Sequence, residues 1–469
     1  MPHERDRMSE TAALPPRPTA GVPRAYEFPA VHRFTLGNGL RVVVAPMPRL
    51  PLVTVLALVD AGAASESEGL EGVASLVTRT LAEGAAALDG AEITARFERL
   101  GTAFDASAEW DSSVARLTVT RSRFDAAFAL FATVLRGATF PPADVARRRD
   151  ERLADLAQQL AEPRGLADER FAGFLYGRTN RYARSASGTP RSVATLDAAA
   201  VRAFYTDYYG PHTTTLIMVG DITADQARAL AATEFGSWEG NARPAAAMPA
   251  ASGTDPKRIV IVEKADAPQS ELRVGHVGVP RSHADYLAIV VMNAILGGLF
   301  SSRINLNLRE KHAFTYGASS GFDWRRGAGP FVVSTAVKSE VTARAVEEIL
   351  REIDGLRSAA PEAAEVALAT DYLAGVFPIR YESTSAVAGA LAGATMFGLP
   401  DDWFARYRDR IRAITPVEVH AAARAHLDPA RLLVLAVGDA SVIEAPLTAL
   451  GFGAVERHAS DDDPAEVPR

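Results

Sequence analysis

The chain of 469 residues contains no cysteine. Disulfide bonds, cysteine-ligated zinc sites and thiol nucleophiles are therefore excluded. Because a chain without cysteine suits reducing and oxidising compartments equally, this absence leaves the compartment open.

The chain also lacks a surplus of basic residues. It has 50 Lys and Arg against 57 Asp and Glu, a formal net charge of −7. Nucleic-acid binding needs a concentrated basic surface, and no stripe of Lys and Arg provides one. We therefore expect no nucleic-acid partner.

Long hydrophobic runs are absent as well. The longest, Leu287 to Phe300, is interrupted by Asn293 and two glycines and is shorter than the roughly 20 residues of a membrane span. The first 28 residues contain five prolines and mixed charges and no apolar signal-peptide core. The sequence predicts no membrane span and a cytoplasmic location, with the periplasm left open as an alternative.

Histidine pairs one helical turn apart are missing too. None of the nine histidines lies three or four residues from another. A helical zinc site of two histidines is therefore not expected, and no histidine is assigned as a ligand. The sequence predicts no metal on this chain.

The most informative feature that is present is an internal repeat. Val201–Asp221 resembles Val419–Asp439, with Pro211 matching Pro429 and both segments ending in Val-Gly-Asp. With 48% hydrophobic and 23% charged residues, the chain has the composition of a folded globular protein, and its length suits about two to four domains. The repeat predicts two related halves.

Short runs of β-branched residues, Leu40–Pro46 and Arg258–Lys264, open the halves as strands, and helical periodicity follows in each. We predict an α+β fold of two homologous domains, each a sheet with helices, joined by a linker. The predicted segments are an extension at 1–28, an N-terminal domain at 29–235, a linker at 236–257, a C-terminal domain at 258–455 and a charged tail at 456–469.

One predicted helix, Glu71–Gly84, has a polar face of uncertain chemistry. Ser75, Thr78 and Arg79 lie at i, i+3 and i+4, so their side chains share that face. In the pattern H-x-x-E-H, two histidines bind zinc and the glutamate activates a zinc-bound water. Serine, threonine and arginine perform neither task well.

This helix nevertheless resembles the zinc helix of the insulinase or pitrilysin family, which includes the mitochondrial processing peptidases. Ser75 and Arg79 occupy the positions of the two family histidines, and Thr78 that of the catalytic glutamate. The family completes its zinc site with a glutamate on a later helix, where the nearest carboxylate here is that of Asp155. The resemblance implies one half of a clam-like peptidase whose zinc helix is degenerate.

The second half contains a closer match to the family, Leu296–Phe322, with the motifs Leu-Gly-Gly, Ser-Ser-Arg and Leu-Arg-Glu. His312 and Ala313 depart from the family pattern. In the family, the arginine and tyrosine matching Arg309 and Tyr316 reach the substrate over the zinc of an opposing domain. A guanidinium suits a peptide carbonyl and a phenol can stabilise an oxyanion, which fits that role.

The resemblance implies a zinc-free subunit of a heterodimeric metallopeptidase. A homologous subunit with an intact H-x-x-E-H motif would bring the zinc, and this chain would bind peptide substrate and contribute Arg309 and Tyr316. The chain alone is not expected to be catalytic. Two alternatives stay open: a noncatalytic scaffold or peptide-binding protein resembling the core subunits of respiratory complexes, and a self-sufficient homodimeric peptidase, which Ser75, Thr78 and Arg79 disfavour.

Overall fold

The structure of the protein is a computed structural model that describes residues 26–177, 180–240, 243 and 256–461. Besides residues 178–179 of the N-terminal domain, three predicted segments lie partly outside the described residues. These are the N-terminal extension up to residue 25, most of the linker (241–242 and 244–255) and the end of the charged tail (462–469). The predicted domain boundaries remain predictions.

Two six-stranded sheets form the centre of the described structure. The first contains β1 (His32–Thr35), β2 (Arg41–Pro46), β3 (Leu52–Val59), β6 (Asp105–Ala108), β7 (Ser113–Thr120) and β8 (Thr214–Gly220), while β4 (Gly84–Ala85) and β5 (Leu88–Asp89) form a separate ribbon. The second contains β9 (Arg258–Glu263), β10 (Gln269–Val277), β11 (Ala318–Phe322), β12 (Pro330–Lys338), β13 (Leu433–Gly438) and β14 (Ala454–His458).

Five strands of each sheet follow the same order, β2-β8-β3-β7-β6 in the first and β9-β13-β10-β12-β11 in the second. In both, the strand that ends in Val-Gly lies parallel to the first strand of this set and antiparallel to the next. The sixth strand differs, since β1 is antiparallel to β2 whereas β14 is parallel to β9. This topology confirms the predicted α+β fold with two repeated halves.

Helices cover these sheets. The first half contributes α1 (Val73–Thr80), α2 (Gly90–Arg99), α3 (Arg121–Gly137), α4 (Pro142–Ala161), α5 (Pro163–Tyr176), α6 (Pro190–Ala194), α7 (Ala198–Tyr208) and α8 (Ala224–Phe235). The second contributes α9 (Tyr286–Asn293), α10 (Arg303–Asn305), α11 (Thr342–Ser358), α12 (Ala363–Arg380), α13 (Thr384–Met396), α14 (Trp403–Arg412), α15 (Pro416–His426) and α16 (Ala440–Ala449). Two π-helical turns, Ala294–Gly298 and Leu306–Lys311, follow α9 and α10, and short 3-10 turns occur at Ala63–Ser65, Arg181–Ala183, Ser339–Val341 and Pro429–Arg431.

Each half covers one face of the other half's sheet. Helix α5 packs Leu166 and Phe171 against buried residues of β9 and β13 in the second sheet. Helix α13 packs Val387 and Leu391 against buried residues of β2, β3 and β8 in the first sheet. Because both faces of these central strands are covered, their sequences are continuously apolar rather than alternating. The exchange joins the two halves through apolar contacts.

The run Tyr286–Lys311 is long and apolar enough, by length and composition alone, to cross a membrane. However, 56% of its most apolar window is buried inside the fold, where Ile289 and Val291 belong to the core of the second half. A core helix passes the same test, so this run carries little weight for a membrane span. The predicted compartment remains a prediction.

Candidate functional site

The polar helix of the first half is α1, and a glycine sets its start. Gly72 has φ +96°, a left-handed conformation, and a Cβ on it would lie 2.9 Å from the carbonyl oxygen of Ser187. The helix therefore begins at Val73, two residues later than predicted. The Glu66 carboxylate accepts hydrogen bonds from the backbone N–H groups of Gly72 and Ala74, at 3.1 and 2.9 Å, and so satisfies donors at the helix start.

Glu66 is itself held by a buried ion pair with Arg181. Its side chain has no exposed surface, and Arg181 is almost fully buried. Burial raises the pKa of Glu66 to about 7, although the charge and hydrogen bond of Arg181 and the backbone N–H donors act in the opposite direction. The start of α1 is thus fixed by contacts that reach from a distant turn of the chain.

Ser75, Thr78 and Arg79 lie on α1 as the sequence predicts. The Thr78 hydroxyl donates to the backbone carbonyl of Ser75 at 2.9 Å. Arg79 Nη2 donates to Asp155 Oδ2 on α4 at 3.0 Å. The structure therefore brings Asp155 next to α1, where the sequence placed the nearest carboxylate.

These groups do not fit a zinc ion. Zinc is held by histidine nitrogen, cysteine sulfur or carboxylate oxygen, and a guanidinium offers no lone pair and a permanent positive charge. A second guanidinium, that of Arg152, lies 4.0 Å from Asp155. Burial and the neighbouring charge of Arg79 lower the pKa of Arg152. The only carboxylate in this set is therefore already matched by two cationic groups.

The second predicted site residue, Arg309, lies in a π-helical turn of the second half. π-Helical turns are rare in proteins, and those that occur are often found at functional sites. The Arg309 guanidinium carbon lies 4.6 Å from the centre of the Phe300 ring, and Nε is 3.5 Å from Glu310 Oε1. About a third of the side chain remains exposed. The cation–π contact orients the guanidinium without burying it.

Tyr316 stands out because 94% of it is exposed, on a loop that is otherwise well anchored. The Thr315 hydroxyl donates to the Gly317 carbonyl at 2.9 Å, as does the Thr335 hydroxyl at 3.0 Å. The Phe314 N–H donates to the Leu308 carbonyl at 2.8 Å. A large aromatic side chain is therefore displayed on a backbone whose position is fixed on both sides.

Tyr316 lines a groove of about 710 Å³ over β10, β11 and β12 of the second sheet. The floor includes β11, and Asp168 of α5 lies across from it. Gly297 allows the preceding π-helical turn to approach β11, because a Cβ there would lie 2.6 Å from the Ser320 nitrogen. The missing side chain of Gly297 therefore lets this turn pack directly against an edge strand.

A buried arginine joins both halves beneath this groove. Arg273 of β10 pairs with Asp168 at 2.6 Å and with Glu271 at 2.9 Å, and only 3% of its side chain is exposed. This group was not predicted from the sequence, because its partners come from different halves of the chain. The one sequence feature that could have indicated this ion pair is an arginine within the largely buried strand β10.

The two predicted site regions lie apart in the fold. Helix α1 packs against α4, α7 and β6 of the first half, whereas the Leu306–Lys311 turn packs against α10 and α11 of the second. Among the described residues, the structure also brings together a group that the sequence analysis left unassigned, His283, Asp285 and His426. Their separation along the chain hid them, and only the short spacing His-x-Asp was visible.

Comparisons with known proteins agree with this arrangement. The profile of the insulinase family, peptidase family M16, matches residues 41–184, and that of the peptidase M16 inactive domain matches residues 195–373. An uncharacterized zinc protease of Mycobacterium tuberculosis is 25% identical over 84% of this chain and 90% of its own length. One from Streptomyces coelicolor is 23% identical over 84% of this chain and 86% of its own length.

Solved structures show the same fold. A peptidase M16 inactive domain from Pseudomonas fluorescens superposes with a TM-score of 0.82 at 27% identity, covering 87% of this chain and 98% of the other. A protease from Helicobacter pylori gives a TM-score of 0.78 at 19% identity, covering 88% and 100%. With two adjacent matches to one family and a shared fold across both halves, the chain belongs to the insulinase family, peptidase family M16.

Proposed function

We propose that the protein is the subunit without catalytic zinc in a heterodimeric insulinase-type metallopeptidase. A homologous subunit with an intact H-x-x-E-H helix brings the zinc, and this chain binds the peptide and supplies Arg309 and Tyr316. The observation that carries the proposal is the 94% exposure of Tyr316 on an anchored loop. Exposed aromatic side chains on fixed backbone are suited to contact another molecule.

The first half supports the same division of labour. A helix that pairs Arg79 with Asp155 has no ligand set for zinc. The chain therefore depends on another subunit for the activated water that hydrolyses a peptide. This helix is interpreted as the degenerate counterpart of the family's zinc helix.

Within such a pair, Arg309 and Tyr316 have separate tasks. The Arg309 guanidinium donates to the carbonyl oxygen of a bound peptide. The Tyr316 hydroxyl donates to the oxygen that becomes negative when water attacks that carbonyl. The groove beside Tyr316, which lies over β10, β11 and β12, receives the extended peptide.

A noncatalytic scaffold is the second candidate. The observation in its favour is that Arg309 already contacts the Phe300 ring and lies near Glu310, so its side chain has a structural use. A scaffold would also bind a homologous subunit, but it would not change that subunit's chemistry.

The test is reconstitution with a homologous chain that carries H-x-x-E-H. We expect this chain alone to leave an unfolded peptide intact, to co-elute with the homologue in gel filtration, and to raise the rate of cleavage above that of the homologue alone. Replacing the motif glutamate of the homologue by glutamine is the control and should abolish cleavage. Co-elution without a rise in rate would favour the scaffold, and cleavage by this chain alone would overturn the proposal.

A further inference from the structure

Three side chains with metal-binding atoms meet at the surface of the second half. His283 and Asp285 lie just before α9, and His426 is the last residue of α15. His426 Nε2 lies 2.7 Å from Asp285 Oδ2, and His283 Nδ1 lies 3.9 Å from the same oxygen. One donor atom from each residue falls within 4.8 Å of the other two. The two imidazole rings meet edge to face, with centres 4.8 Å apart.

These separations suit a small transition-metal ion. Zinc binds histidine nitrogen and carboxylate oxygen at about 2.0–2.2 Å in a tetrahedron, which places ligand atoms roughly 3.4 Å from one another. The distances of 2.7 and 3.9 Å lie on either side of this value. Metal binding would replace the hydrogen bond that His283 Nδ1 accepts from the Asp285 N–H at 3.2 Å. Rotation of the two side chains can do this, because neither His283 nor Asp285 is buried.

The surroundings favour a cation at this point. His426 ends α15, and the carbonyl groups at a helix C-terminus carry partial negative charge. Arg281, two residues before His283, is directed elsewhere, since its guanidinium carbon lies 3.4 Å from the centre of the Tyr286 ring and 4.8 Å from that of Trp403. The other histidine near this cluster, His276, accepts a hydrogen bond from the Asp428 N–H at 3.2 Å and therefore has a structural role.

We propose that His283, Asp285 and His426 form a binding site for a divalent transition-metal ion, with zinc as the reference ion. Two imidazoles and one carboxylate leave a fourth position for water. These ligands are unsuited to magnesium, because magnesium prefers an octahedron of oxygen ligands. The site is separate from α1 and goes beyond the proposed function.

An ion at this site would link the start of α9 to the end of α15. Helix α9 leads directly into the π-helical turn that contains Gly297 and lines the groove beside Tyr316. Metal binding would therefore stabilise the elements that support the groove. Binding to the folded state alone raises the unfolding midpoint.

The experiment is calorimetric titration of the untagged, chelator-treated full chain with zinc chloride and, separately, with magnesium chloride. We expect one zinc per chain, no detectable magnesium binding, and a rise in the thermal midpoint with zinc. His283→Ala and His426→Ala should each weaken zinc binding at least tenfold and remove the thermal shift. His32→Ala, at an exposed histidine of β1, is the matched control and should change neither.

Absence of zinc binding in the wild-type chain would overturn the inference, as would undiminished binding in both variants. If His426→Ala fails to fold, Asp285→Asn provides the same test from an exposed position. Because the readouts are binding and stability of this chain alone, their failure leaves the proposed function untouched.

Discussion

Arg79 Nη2 and Asp155 Oδ2 lie 3.0 Å apart and join the last turn of α1 to α4 by an ion pair. The family resemblance aligns α1 with the zinc helix of the insulinase family and Asp155 with the distal glutamate that completes the zinc site. A guanidinium here takes the one carboxylate that could have served as a ligand. This contact therefore supports the proposal that another subunit supplies the catalytic zinc.

The Arg79–Asp155 pair should contribute little to stability. Its side chains are 35% and 51% exposed, and pairs of this kind contribute about 0.2–1 kcal/mol. A double-mutant cycle of Arg79→Ala and Asp155→Ala, read by urea unfolding, should give a coupling free energy in that range that shrinks in high salt. The exposed pair Arg96–Glu92 on α2 is the control. A coupling free energy above about 2 kcal/mol would contradict this assignment.

The buried pair at the start of α1 should behave differently. Glu66→Ala leaves Arg181 buried without its partner and exposes two backbone donors to an apolar environment, so we expect a loss of about 3–5 kcal/mol in the free energy of unfolding. Glu68→Ala is the matched control, because Glu68 is 89% exposed and 3.7 Å from its arginine. Its effect should stay within about 0.5 kcal/mol. Equal effects of the two substitutions would refute the structural role of Glu66.

The contact between the π-helical turn and β11 depends on Gly297. A Cβ at this position would lie 2.4 Å from Ser320 Oγ and 2.6 Å from its backbone nitrogen, so Gly297→Ala should destabilise the protein by about 1–3 kcal/mol. Gly321→Ala in β11 is the control, since nothing lies within 4 Å of its added Cβ. Urea unfolding of both variants measures the difference. A neutral Gly297→Ala would mean that the turn does not approach the strand this closely.

The sequence predicted the central strands well because their composition is strongly biased. Runs such as Arg41–Pro46 and Arg258–Glu263 are rich in β-branched residues, and the repeated Val-Gly-Asp motif showed that the two halves share a plan. The helix boundary at Val73 was missed because it depends on the left-handed backbone of Gly72 and on a hydrogen bond that the Gly72 N–H donates to Glu66, neither of which periodicity reveals.

Contacts between distant parts of the chain were the least predictable. Helix α5 of the first half covers the second sheet and helix α13 of the second half covers the first sheet, and no local sequence pattern predicts this exchange. Asp285 and His426 are 141 positions apart, and no spacing rule links them. The position of Asp155 was anticipated only through the family resemblance, and its pairing with Arg79 emerged only from the structure.

The central claim is that Arg309 and Tyr316 act on a substrate held at the zinc of another subunit. It is tested most directly by kcat for peptide cleavage by the reconstituted pair, with wild-type, Arg309→Ala and Tyr316→Phe forms of this chain. Tyr372→Phe, at an exposed tyrosine of α12, is the control.

We expect Tyr316→Phe and Arg309→Ala to lower kcat by about ten- to thousandfold, the range found for a lost oxyanion donor. The thermal midpoint of Tyr316→Phe should be unchanged because its side chain is exposed. Tyr372→Phe should cleave at the wild-type rate. A kcat that stays at the wild-type value in both Arg309→Ala and Tyr316→Phe would contradict the account and leave the chain as a scaffold.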